Sequence, residues 1–225
     1  MACHKTLPQQ ESRHQHTIID WVDFLKIDGI QYESIQSGVM TSSDDIGEVV
    51  GEITYKVSGN VTNPYYNIQN GDAAFWEPGT KVYGIKGAEG LVAVEDQHEV
   101  NGYRIYASET GTEQYEWHFL DIDKTAINKV EIYEEYDDSN VINTITDEQE
   151  INEFLNILNE GEERPLFTPN TTQGDPTIFE MIFYHDHVFA YKYTMLFDGD
   201  DWYWHPWETS IVSKDIGKFV EINHR

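Results

Sequence analysis

Residues 145–161, ITDEQEINEFLNILNEG, decide the fold, because their spacing admits one reading. Ile151, Phe154, Leu155 and Leu158 recur at helical spacing and make one apolar stripe, while Asn152, Glu153, Asn156 and Asn159 face elsewhere. Thr146 suits the N-cap position, and Gln149, three residues on, completes a capping box. Asp147, Glu148 and Glu150 set negative charge at the positive end of the helix dipole. Gly161 can take the left-handed conformation that ends a helix, and Pro165 keeps the helix from restarting. A helix with one apolar face needs a partner surface, and the segments around it read as strands.

After the helix, residues 162–176 read as a Pro/Thr/Gly loop. Thr177–Tyr184 and Val188–Phe197 then pair across His185-Asp186-His187. A turn at Asp198-Gly199-Asp200-Asp201 leads into Trp202-Tyr203-Trp204-His205. Ser213 caps a short closing helix, through Ile222, with Ile216, Phe219 and Val220 as its apolar positions. Before the helix, residues 126–136 alternate as a strand. Residues 115–225 therefore read as an α+β unit, an antiparallel sheet covered by one main helix.

Further toward the N-terminus the spacing changes to short strands divided by turns. Asp28-Gly29 between FLKI and IQYE is a hairpin signal, since both residues tolerate positive φ. The stretch 46–57 is a strand with glycine bends, 58–72 is a loop, and Pro78-Gly79 and Asn101-Gly102 turn the chain into further strands. Residues 18–110 thus read as a small antiparallel barrel or sandwich, with the boundary at Gly111–Gln114. Residues 1–17 have the composition of a flexible tether.

The chain has 225 residues and carries 14 Lys+Arg against 41 Asp+Glu, a formal net charge of −27. Such a surface repels phosphate backbones and anionic lipid head groups, which disfavours nucleic-acid binding and charge-driven membrane binding and favours basic partners. Cys3 is the single cysteine, so no disulfide forms within the chain. Ala2-Cys3 followed by a polar run resembles the start of a bacterial lipoprotein whose signal segment has been removed. On that reading Cys3 is lipidated, and the lipid is the only contact with a membrane.

The phrases IGEVVGEI and PGTKVYGIKG followed by LVAVED, between Asp45 and Asp96, resemble a family of uncharacterised cell-surface lipoproteins of Bacillus and related Firmicutes. The resemblance implies an extracytoplasmic, membrane-anchored location on a Gram-positive cell. It carries over no activity, cofactor or catalytic residue.

The most suggestive chemistry lies in WYWHPW beside DGDD. Trp202, Trp204 and Trp207 offer indole faces for a glycan or peptide, and Asp200 and Asp201 offer acceptors for its hydroxyl or amide groups. Against this, strand alternation sends Trp202 and Trp204 to one side and Tyr203 and His205 to the other, so at least one pair should be core. His185 and His187 have metal-ligand chemistry but splay from a turn; His4, His14 and His16 sit in the tether. The runs Asp198–Asp201 and Asp121-Ile122-Asp123 are fragments of calcium loops, lacking the distal bidentate acid, and allow weak Ca2+ binding at most. No phosphate-cradling loop, nucleophile elbow or His-Glu-x-x-His is present.

Three functions are open to this sequence. The preferred one is a non-enzymatic, lipoprotein-like module for binding or envelope assembly. The others are a hydrolase of wall glycan or peptide with its acids near WYWHPW, and an inhibitor or immunity-type partner of a basic protein. An open groove at WYWHPW with convergent acids favours the hydrolase, and burial of its rings favours the first.

Overall fold

The hairpin signal at Asp28-Gly29 sets the first register. The two residues take φ of 50° and 80° and join β1 (Phe24–Ile27) to β2 (Ile30–Met40) with Ile27 opposite Ile30. In chain order there follow β3 (Ile46–Glu52), β4 (Tyr55–Lys56), β5 (Asp72–Ala73), β6 (Lys81–Ile85), β7 (Leu91–Glu95) and β8 (Tyr103–Ala107). Then come α1 (Glu109–Gln114), β9 (Lys129–Glu134), β10 (Val141–Ile145), α2 (Glu148–Asn159) and β11 (Glu162–Glu163). The chain continues through β12 (Thr177–Tyr184), β13 (Phe189–Phe197), β14 (Trp202–Trp204) and β15 (Ser210–Val212). This computed structural model describes residues 19–134, 141–172 and 174–220. Cys3, His4, His14 and His16, with the rest of the 1–17 tether, lie outside the described residues, as does the end of the closing helix at Ile222.

The fold is mostly β. The strands join one sheet, whose main path runs β10-β9-β12-β13-β2-β8-β7-β6-β3, antiparallel except where β4 meets β5. This corrects the expected α+β arrangement of a barrel or sandwich followed by a separate sheet. Among the described residues no closed barrel forms, and the front and rear halves hydrogen-bond directly, with Gly38, Val39 and Met40 of β2 opposite Tyr191, Ala190 and Phe189 of β13. The physical reason is that β2 runs to Met40, well beyond the hairpin, and its far end still needs partners on both sides. The expected linker 111–114 falls inside α1, capped by the Ser108 hydroxyl accepting from Gly111 N. Gly111 and Gly90 lie so close that a Cβ on Gly111 would meet the Gly90 oxygen at 2.5 Å. The largest core likewise takes residues from both halves, Met40, Leu91 and Ile105 beside Val130, Phe154 and Phe183.

The helix forms where its spacing placed it, with Ile151, Phe154, Leu155 and Leu158 all buried. Phe154 meets the Phe219 ring edge-on at 5.2 Å and lies 6.1 Å from Phe183 of β12, so the helix covers the rear sheet face. Burial of four such side chains stabilises by on the order of 6–12 kcal/mol, an upper figure because the unfolded chain also hides apolar surface. Its ends differ from expectation. Asp147 is the N-cap in place of Thr146, its carboxylate accepting from Gln149 N and Glu150 N at 2.9 and 3.1 Å. Gly161 is not left-handed; it is a close-approach glycine, since a Cβ there would stand 2.1 Å from the Ser210 hydroxyl oxygen. The closing element is a 3-10 helix, Lys214–Phe219, capped by Ser213 as expected.

Candidate functional site

Trp202 and Trp204 go to the core, with 3% and 1% of their surface exposed. β14 is flanked by β13 and β15, Phe119 meets Trp204 edge-on at 4.6 Å, and Phe197 stacks on Trp202 at 4.5 Å. Tyr203, on the opposite side, is equally buried beneath Phe167. The expected indole platform is therefore not assembled: Trp207 alone of the three is exposed, at 78%, edge-on to His118. A strand with neighbours on both edges and cover on both faces offers no surface to a ligand.

The acids of DGDD are occupied locally. The Asp198 carboxylate accepts from Asp200 N, Asp201 N and Asn170 N at 3.0, 2.8 and 2.8 Å. Burial works against its charge, but these N–H groups outweigh it and hold the pKa below the ordinary carboxylate value. Asp200 accepts from the Asn170 side chain at 2.7 Å, and Asp201 sits half-buried before β14. Asp123 caps a 3-10 turn through Thr125 N and its hydroxyl, while Ile122 beside it is buried. Both calcium-like fragments thus work as turn caps. Among the described residues no three His, Cys, Asp or Glu side chains converge in a way that could hold a metal ion.

What the sequence reading missed is a cleft of about 670 Å3 at the ends of β6 and β7, lined by Trp76, Thr80, Lys81, Tyr83, Glu95 and His98. Its aromatic wall is fixed from behind. The Trp76 indole N–H donates to the Tyr106 hydroxyl at 2.6 Å, and that hydroxyl donates to Asp23 at 3.0 Å. Arg104 lies over the Trp76 ring, 5.8 Å from its centre. Its Nη1 bonds Asp23 at 3.2 Å, its Nη2 pairs with Asp96 at 2.8 Å, and its Nε faces Glu99 at 3.4 Å, too far out of line for a hydrogen bond. Burial opposes the guanidinium charge, but Tyr106 and the three carboxylates hold its pKa above the ordinary value. Glu99 and Glu180 also pair with Lys192 of β13, so the network ties the cleft to the rear half. Arg104 could have signalled this: an arginine inside the strand YRIY, in a chain with few cations, needs carboxylate partners to be buried.

A second polar cluster lies on the same sheet face. Glu131 accepts from Lys129 Nζ, Tyr133 and Tyr184 at 2.8, 2.9 and 2.7 Å. Burial raises the Glu131 pKa, the three donors lower it by more, and the net value is depressed. The Tyr184 hydroxyl is pushed up to about 12, by burial first and then by Glu131.

His185 and His187 do not splay into solvent as expected of a turn. Their rings stack on each other, and His185 stacks on Tyr191; both are half-buried. No protein-family model, curated protein or solved structure matches the chain.

Proposed function

We propose that the chain is a non-enzymatic binding or envelope-assembly module on the outer face of a Gram-positive membrane, held there by a lipid on Cys3. The observation that supports this reading over a wall hydrolase is the burial of Trp202 and Trp204, with Asp198 and Asp200 engaged in the turn beside them. A hydrolase using that block requires an open groove with free, convergent acids. The surface best suited to a ligand is the cleft beside Trp76. Its ring is held rigid by Tyr106 and Arg104, which lowers the ordering cost of binding a sugar face or peptide side chain. The finer architecture behind the proposal is a curled front with its own small core around Leu25, Ile53 and Tyr106, and a helix-roofed rear, sharing one sheet.

The test is to incubate the full chain with purified cell-wall polymer and measure both retention and release. Retention without new reducing ends or free amino groups, weakened when Trp76 is changed to Leu, supports the proposal. Steady release of soluble fragments overturns it in favour of the hydrolase. The formal charge of −27 favours a basic protein as the alternative target, and binding lost between low and high salt would identify that case. Detergent-phase partitioning of the native product against Cys3→Ser tests the anchor: a native product that stays in the aqueous phase removes it.

A further inference from the structure

The seam between the halves carries a pair of histidines that none of the proposed binding chemistry uses. His185 and His187 sit in the turn from β12 to β13, next to the point where β13 meets β2. That turn is fastened to the front half through Thr41, whose N–H donates to the Val188 carbonyl at 3.0 Å and whose hydroxyl donates to the His187 carbonyl at 3.2 Å. The two imidazoles stack, with centres 5.7 Å apart and planes 21° apart. Tyr191 stacks on His185 at 4.7 Å and 5°, Phe189 packs against both rings, and Tyr115 meets His187 edge-on at 5.4 Å.

The informative detail is what the ring nitrogens lack. Nε2 of His185 and Nδ1 of His187 are shut off from water and have no hydrogen-bond partner. The Phe189 backbone favours the charged form of His185, by less than burial and His187 oppose it. A charged ring carries a proton on both nitrogens, so either imidazolium would set a buried N–H with no acceptor inside an aromatic wall. Burial of an unmet donor of that kind is costly, and a charged one more so. The stacked arrangement is therefore compatible only with neutral rings.

The groups facing the pair point the same way. Asp45 and Asp186 line a hollow of about 430 Å3 at the turn, which His185, His187, Gly87 and Val188 also line. Asp186 is held by the Asn128 side chain at 2.9 Å, and the Thr41 hydroxyl reaches Asp45 at 3.4 Å. From the segment after α1 come Tyr115, with Glu89 near it, and Glu116; Asp123 lies toward Tyr191. These carboxylates give a ring that has swung outward a place to keep its charge, whereas the stack gives it none. Burial lowers the pKa of both rings, and in His185 the neighbouring His187 lowers it further, more than Asp186 raises it.

We propose that His185 and His187 form a proton-operated latch on the seam: neutral, they stack and close the turn against β2; protonated, they leave the stack and free the segment 115–119. That segment rests on the same rings, Trp117 lying 4.6 Å from Phe189 and Tyr115 5.2 Å from it. The sign follows from the depressed folded-state pKa. The latch contributes fully above the ordinary histidine value of about 6.5 and is lost as pH falls below it. For a chain of −27, adding protons otherwise relieves self-repulsion, so a local loosening on acidification runs against the global trend and is recognisable.

Amide hydrogen exchange of the full chain at pH 7.5 and 5.5, corrected for intrinsic rates, tests this. Segments 38–41, 115–119 and 185–191 should exchange roughly tenfold faster at the lower pH relative to the rest of the sheet. The double variant His185→Gln, His187→Gln should show no such difference between the two pH values, while His205→Gln keeps it. Equal protection of these segments at both pH values in the unaltered chain, or an unchanged response in the double variant, overturns the latch. If the double variant does not fold, titration of the imidazole C–H signals in the unaltered chain decides. Two depressed, coupled titrations that move the amides of 115–119 support it, and ordinary titrations near about 6.5 that leave those amides still refute it.

Discussion

Removing the guanidinium of Arg104 is the sharpest perturbation the structure offers. The side chain is 29% exposed, and its three partners Asp23, Asp96 and Glu99 are 14%, 9% and 10% exposed. In Arg104→Gln, Asp23 and Asp96 lose their ion pair and Glu99 keeps only Lys192. Breaking a buried pair from one side costs about 3–5 kcal/mol, and the partial exposure of the arginine places this case near the lower end, about 3 kcal/mol. Arg104→Lys should fall between the two, because one ammonium cannot reach carboxylates that the guanidinium meets at separate nitrogens. Urea unfolding at neutral pH, followed by circular dichroism, measures both variants against the unaltered chain. A loss under about 1 kcal/mol for Arg104→Gln, or a lysine variant as unstable as the glutamine one, would refute the claim that geometry and charge at this network hold the cleft wall in place.

Three further outcomes follow from single contacts. Asp147→Ala should destabilise by about 1 kcal/mol and Thr146→Ala by much less, read from thermal unfolding, because the aspartate carboxylate alone meets the first-turn N–H groups. Gly161→Ala should cost about 1–3 kcal/mol, and Ser210→Ala should restore part of it by removing the oxygen that the new Cβ would strike at 2.1 Å, leaving the Ile211 oxygen next at 3.3 Å. The depressed pKa of Glu131 means its contribution is present above the ordinary carboxylate value of about 4.3 and is lost as pH falls through the folded value; Glu131→Gln should flatten that part of an acid unfolding curve.

How much of this was legible depends on the range of the interaction. The α2 stripe and the Asp28-Gly29 hairpin are local, set by residues within a turn or two of each other, and both stand where spacing placed them. The N-cap was misplaced by one residue because Thr146 and Asp147 are both competent, and the choice rests on β10 running to Ile145. Alternation did carry Trp202 and Trp204 to one side of β14, but it could not reveal that Phe167 covers Tyr203 on the other. The pairing of β2 with β13 has no local signature, since any extended segment with free backbone groups could have filled that edge. The cleft shares this illegibility: Trp76, Tyr83 and Glu95 come from three separate segments that only the sheet assembles. Neither histidine's orphaned nitrogen could be read from the sequence, because it is defined by what the folded chain withholds.

The pairing of Gly38 with Tyr191 also bears on the order of events at birth. Early contacts such as the first hairpin can form while the nascent chain is still emerging, and Val39 finds Arg104 of β8 soon after, but the other edge at the far end of β2 has no strand to receive it until nearly the whole polypeptide has been made. During that interval Met40, Leu91 and Ile105 lack the rear partners of their core and present bare apolar surface. A ribosome stalled before residue 189 would thus hold a product that chaperones and proteases treat as unfinished, whatever the state of its first hundred residues.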